Sequence, residues 1–291
     1  MSFDFDYREP KIIAEIGCNH MGQMSIAKEL IDLAKVSGAK YVKFQKRNNK
    51  KLLSEEQYNA PHPNPINSYG ETYGAHRDYL EFDVAQNKEL MRYCNSLDME
   101  YSTSVWDVIS AKEMSSFNPK FLKVPSACNH NYDLLEVLRD EFKGQVQLSI
   151  GMTSKFEIEE IVKFFEEKNQ AKTRLLIYSC TSGYPVPAKD VALLELNWLY
   201  KNYSHRINEI GFSGHHLGIN LDMAAYTLGA RWIERHFTKD KTWKGTDHCA
   251  SLDAAELKTL VNGLNETFSA LSYKASEILP IEQVQRDKLK I

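Results

Sequence analysis

Two imidazoles define the chemistry to consider first. In residues 208–252 an apolar run, NEIGF, ends in Ser213-Gly214-His215-His216, and about one helix later a second run, RWIERHF, carries His236. The pattern reads strand, helix, strand. His215 and His236 are therefore expected at the C-terminal ends of neighbouring strands, where parallel α/β proteins bind their ligands. Neutral imidazoles placed this way suit a divalent metal with coordination positions left open for a substrate. A polar loop with Gly245, Asp247 and His248 follows.

The elements that must carry this pair repeat along the chain. Short apolar runs at 11–17, 40–46, 99–105, 121–124, 146–150, 174–179, 209–213 and 232–236 read as strands. Helical spacing of apolar residues fills 25–37, 84–97, 108–117, 132–142, 154–168, 191–200, 220–228 and 253–271. Eight strands alternating with eight helices predict a single (β/α)8 TIM barrel over residues 1–273. The rival, a doubly wound open sheet binding a dinucleotide, lacks a GxGxxG after any strand. Residues 47–82 break the rhythm with PHPNPINSYGETYG, and the aromatics there predict an ordered loop over the active face. The polar stretch 274–291 reads as a linker-like tail.

In a barrel enzyme the strand ends carry the chemistry, and here every strand ends in polar residues. The first gives Glu15, Asn19 and His20, the second Lys43 and Gln45, the third Ser102, Thr103 and Ser104. The fourth gives Lys123 and Ser126, the fifth Ser149 and Gly151, the sixth Ser179, Thr181, Ser182 and Tyr184. The last two give Ser213, His215 and His216, then Glu234, His236 and Asp247. Two lysines among hydroxyls would surround a phosphate. A metal on the imidazoles would act as a Lewis acid on a carbonyl, and Glu15 would orient or move a proton. Plainer readings exist: His20 and His248 as satisfied polar residues, Lys43 and Lys123 capped by core carboxylates such as Glu15, and Cys18, Cys128 and Cys180 as small buried hydrophobes. Either lysine would also serve a Schiff-base aldolase.

Composition narrows the class. Hydrophobic content of 43% and charged content of 26% are those of an ordinary globular protein. A net charge of -3 gives no electrostatic reason for a nucleic-acid or anionic-membrane partner. No apolar run reaches the roughly 20 residues that span a bilayer, and MSFDFDYREP lacks the pattern of a signal peptide. Five scattered cysteines without a CxxC pair fit reduced thiols in the cytoplasm.

The segments KIIAEIGCNHMG, AKYVKFQK, FLKVPSA, LSIGMTSKFEI, SCTSGYP, GFSGHHLGI and ERHFTKDKTWKGTDHCASL together resemble the sialic acid synthase (N-acetylneuraminate synthase) family over roughly residues 11–280. Ser213-Gly214-His215 and Lys241-Thr242-Trp243-Lys244-Gly245 are closer to the animal-type forms, since many bacterial ones have Asp at the place of Gly214. The resemblance implies a homodimeric barrel that condenses phosphoenolpyruvate with an N-acetylmannosamine-type sugar, or its 6-phosphate, to a nine-carbon 2-keto acid plus phosphate. It implies Mn2+ or Mg2+ on His215 and His236, and Glu15 as the catalytic carboxylate. Lys43, Thr103, Lys123, Ser126, Ser149 and Ser213 match its phosphoenolpyruvate positions, and Gln45, Tyr184 and Asp247 its sugar-side positions. The chain departs from the family at Ser182, where many bacterial members have Asn, and at Cys128, where an acidic residue is usual; both changes bear on the sugar. The small C-terminal antifreeze-like domain is not in the sequence, so a weakly catalytic, nonulosonate-binding barrel is a further expectation.

Overall fold

The strands close on themselves. β1 (Lys11–Gly17), β2 (Tyr41–Lys46), β3 (Glu100–Val105), β4 (Phe121–Val124), β5 (Gln145–Ser149), β6 (Leu175–Ser179), β7 (Glu209–Gly214) and β8 (Trp232–His236) form a parallel barrel in sequence order, with β1 paired to β8. The structure is a computed structural model and describes residues 5–291; the first four residues, part of the stretch read as lacking a leader, lie outside it. The expected (β/α)8 barrel is thus the fold.

Period-two alternation divides each strand between two cores. Ile12, Ala14 and Ile16 of β1, Val42 and Phe44 of β2, and Leu122 and Val124 of β4 face the helices, in the large outer core. The alternate positions point into the barrel. Ile13, Phe121, Leu176, Tyr178 and Trp232 pack there as a smaller apolar cluster that fills its lower half. One step further along each strand the inward residues become polar. Register places Glu15 beside Lys43 and His236, Ser104 beside Lys123, and Ser213 beside Glu234.

Several element boundaries differ from the expected ones for local reasons. The helix expected over 191–200 runs Glu195–Tyr203, because Ala192 takes a left-handed φ of 53° that ends one turn before the helix starts. The stretch 47–82 is ordered, as its aromatics predicted, and also holds helices at Asn49–Leu52, Glu55–Asn59 and Tyr73–Leu80. The tail read as a linker contains the helix Pro280–Leu289. Pro280 begins it, and Glu282 accepts from the Leu279 N–H at 2.9 Å, a start signal within a polar context. None of its residues is buried. Among the described residues no helix is long and apolar enough to cross a membrane.

Candidate active site

The floor of the barrel mouth is a closed set of four charges. Lys43 ion-pairs with Glu15 and donates to the Ser104 hydroxyl at 2.7 Å, with Glu234 at 3.7 Å on its other side. Lys123 pairs with Glu234 at 2.5 Å, and the Ser213 hydroxyl donates to the same carboxylate oxygen at 3.0 Å. The Lys123 ammonium also lies 4.4 Å over the Tyr178 ring, at the top of the apolar cluster. All four charged groups are buried. Burial opposes the charge on Glu234, but Lys123 and Lys43 hold its pKa down at about 2. Burial lowers the Lys123 pKa, and Glu234 opposes that shift. The capped-lysine reading and the substrate-binding reading therefore describe the same residues: each lysine is held by a carboxylate and still faces the cleft.

The imidazoles form one wall. The His215 and His236 rings lie 5.5 Å apart, and Tyr184 stands against both, at 4.3 and 5.7 Å. His215 Nδ1 lies 2.9 Å from the Thr181 carbonyl. A carbonyl only accepts, so Nδ1 carries the proton and the Nε2 lone pair is free. Burial, then His236, push the His215 pKa down to about 3, which keeps the ring neutral. His236 Nδ1 is buried with no hydrogen-bond partner among the described residues, and Asp247 Oδ2 is 3.9 Å from it. Burial disfavours the Asp247 carboxylate, yet His236 and the Thr246 hydroxyl hold its pKa below the ordinary value. An oriented lone pair, an unpartnered buried nitrogen and a nearby carboxylate fit a divalent cation. Among the described residues no three His, Cys, Asp or Glu side chains enclose a metal unaided, so the arrangement suits an open site. His216, next in sequence, turns outward to Asp222 and Arg235.

Hydroxyls line the opposite side. Ser126, Ser149 and Ser182 border the same cavity of about 310 Å3 as Glu15, Lys43, Gln45, Lys123, Tyr184, Ser213, His215 and His236. Their close approach needs Gly151, where a Cβ would come within 2.4 Å of the Ser182 hydroxyl and 3.0 Å of that of Ser126. Two expectations change. Thr103 faces the outer core beside Tyr101, and Ser104 takes the inward place, because inward parity on β3 falls on even numbers. Cys18 and Cys180 are not inert core groups but border the cleft; Cys180 Sγ accepts from the Gly151 N–H at 3.2 Å. His20 and His248 are satisfied polar residues, accepting from the Gly22 N–H and bonded to the Thr238 hydroxyl.

The NeuB family profile matches residues 30–276. The chain belongs to the NeuB family. It is 36% identical to human N-acetylneuraminate-9-phosphate synthase over 283 residues, 96% of this chain and 76% of that one. It is 32% identical to the N,N'-diacetyllegionaminic acid synthase of Campylobacter jejuni over 260 residues, covering 89% and 77%. The crystal structure of N-acetylneuraminic acid synthetase from Leptospira borgpetersenii, in complex with citrate, superposes with a TM-score of 0.80 at 28% identity, covering 97% of this chain and 93% of that one.

In this NeuB barrel the cleft continues outward into a second chamber of about 590 Å3, joined to the first through Gln45, Trp106, Tyr184 and His236. Asp247 lies here, as do Arg47, His62, His76 and Arg77 from the 47–82 segment. Arg47 reaches Glu81 at 3.6 Å and lies 4.5 Å over the Trp106 ring. Sequence reading found Asp247 but missed Arg47, His62, His76 and Arg77. The signal available was the cluster of basic side chains flanking the Pro- and Tyr-rich run after the second strand.

Proposed function

We propose that this NeuB barrel is a metal-dependent synthase that condenses phosphoenolpyruvate with an N-acetylmannosamine-type sugar, giving a sialic acid or related nonulosonate and phosphate. The observation that carries the reading is the buried Glu15–Lys43–Glu234–Lys123 set beside the His215–His236 wall. Lys43 and Lys123, with Ser126, Ser149 and Ser213, bind the phosphate and carboxylate of phosphoenolpyruvate. Gln45, Ser182, Tyr184 and Asp247 hold the sugar. The methylene carbon of phosphoenolpyruvate bonds to the sugar's aldehyde carbon, water adds at C2, and the C–O bond to phosphate breaks to leave the ketone. Glu15, held by Gln45 at 3.0 Å and by Lys43, is placed to accept or return the proton of that water.

His215 and His236 would hold Mn2+ or Mg2+, which supplies Lewis-acid polarisation of the open-chain aldehyde. Electroneutrality supports this. The floor has two cations against two anions, so it has no net charge to offer an arriving anion, and the wall imidazole of His215 is neutral. A homodimer would cover the apolar side chains left exposed at Met152, Phe156, Leu194 and Leu217, all on segments that follow β5, β6 and β7.

The deciding assay is phosphate release from phosphoenolpyruvate with Mn2+ and a panel of amino sugars, with the 2-keto acid identified by mass. Release with one of them is expected; its absence with every sugar overturns the proposal. The lowered pKa of buried Lys123 favours one rival, a Schiff-base aldolase. Both lysines are committed to carboxylates, so borohydride is expected to trap no substrate on the chain, and a trapped adduct would establish the rival.

A further inference from the structure

Three buried ionisable groups stand behind the imidazole wall and take no part in the proposed chemistry. Arg235 lies between Glu234 and His236 on β8, at an outward position, and is 1% exposed. Asp222, on the helix Asn220–Thr227, is fully buried, as is His216 to within 2%. Arg235 Nη1 ion-pairs with Asp222 Oδ2 at 2.5 Å and donates to the Gly218 carbonyl at 2.7 Å. Its Nη2 donates to the His216 carbonyl at 2.5 Å. The His216 ring completes the group, with Nε2 3.2 Å from Arg235 Nη1 and 3.3 Å from Asp222 Oδ2. Two glycines shape the turn that meets the guanidinium. A Cβ at Gly214 would stand 2.9 Å from the His216 ring, and Gly218 takes a left-handed φ of 75°.

The place of this group in the sheet links it to the wall. β7 and β8 pair in register from Gly211 beside Trp232 to Gly214 beside Arg235. That last pair is one residue short of His215 and His236. Each imidazole residue is instead held from its far side. His236 registers with Glu15 of β1, and its carbonyl accepts from the Leu252 N–H at 2.8 Å. The His215 carbonyl accepts from the Val186 N–H at 3.0 Å, in the loop after β6. Arg235 joins the two sides: the residue before His236 grips the carbonyl of the residue after His215.

We infer that Arg235, paired with Asp222, is a positioning residue that sets the separation of His215 and His236 for a divalent cation. A guanidinium suits the task. Its planar fork directs donors to two carbonyls and a carboxylate at once, whereas a Lys ammonium is a point charge on a flexible stem. Asp222 balances the charge, which lets the fork stay in the core. The inference rests on the proposed metal at these imidazoles.

The test uses the full chain and two variants. Arg235→Lys keeps a cation for Asp222 but gives up the fork. Arg235→Met combined with Asp222→Asn removes both charges, so a folded variant without the fork is still at hand if the Lys variant unfolds. Mn2+ is titrated by electron paramagnetic resonance, phosphoenolpyruvate by calorimetry without metal, and thermal unfolding is followed without either. Both variants are expected to bind Mn2+ about tenfold to a hundredfold more weakly, the range of partners that orient metal-binding imidazoles. Phosphoenolpyruvate should titrate as in the wild type. A lower unfolding temperature with wild-type Mn2+ affinity would leave Arg235 a structural brace and overturn the inference. Equal weakening of Mn2+ and phosphoenolpyruvate also overturns it, because the damage has then spread to the floor. If the wild type binds no Mn2+, the proposed metal fails, and crystal structures of the wild type and the Lys variant decide the positioning role. A changed spacing of the two rings supports it, and an unchanged 5.5 Å overturns it.

Discussion

His215 and His236 illustrate how a side chain's neighbours set its chemistry. The Thr181 carbonyl fixes the His215 tautomer, and burial keeps the ring neutral, so the nitrogen facing the cleft is a lone pair and not a proton. His216, one residue away, spends its ring on Asp222 and Arg235. Removing either cleft imidazole should therefore abolish metal binding without undoing the floor. His215→Ala and His236→Ala are each expected to cut phosphoenolpyruvate-dependent phosphate release by at least about a hundredfold. Manganese titration by electron paramagnetic resonance should show the loss of the bound ion. Full turnover by either variant after chelation would remove the metal from the proposal.

At the scale of elements, the segment after β2 decides how far the cleft extends. Its short helices are pinned to one another and to the loop after β8: Tyr69 stacks on Tyr79 at 5.1 Å and donates to the Lys244 carbonyl. The close contact lies at Gly74, where a Cβ would stand 2.4 Å from the Tyr58 ring. Gly74→Val is thus expected to push the helices Glu55–Asn59 and Tyr73–Leu80 apart and carry Arg77 and His76 out of place. Affinity for the acceptor sugar should fall about tenfold or more, while phosphoenolpyruvate, which the proposal puts on the barrel floor, should titrate calorimetrically as in the wild type. Equal weakening of both ligands would mean that the segment also shapes the floor.

Across the whole molecule, buried neutral imidazoles couple stability to pH. His20 stacks on Phe82 at 4.0 Å, and burial, then Arg47, hold its pKa at about 3. The folded chain leaves this ring unprotonated where the unfolded chain protonates it. No contribution exists above the unfolded value of 6.5, and stability falls as pH drops from there toward about 3. One such ring steepens the loss by about 1.4 kcal/mol per pH unit near pH 5. His20→Asn, which keeps an acceptor for the Gly22 N–H, should flatten the urea-unfolding profile by that amount. An unchanged slope would show that His20 is not the group that titrates.

The same scale shows what was legible beforehand. The eight strands, most helix positions and the polar character of every strand end follow from local periodicity and residue type, which depend on few neighbours along the chain. Periodicity also predicts that alternate residues part company, but not which parity points inward. That depends on how each strand registers with the next when the barrel closes, and it separates Ser104 from Thr103. The pairing of Lys123 with Glu234 joins residues 111 apart in sequence, and the link from Tyr69 to Lys244 spans 175. No sequence window contains such pairs. The outer donors Arg77, His62 and His76 look like an ordinary polar loop in the sequence. Only folding gathers them around one chamber, buries both imidazoles and leaves the guanidinium without a carboxylate among the described residues.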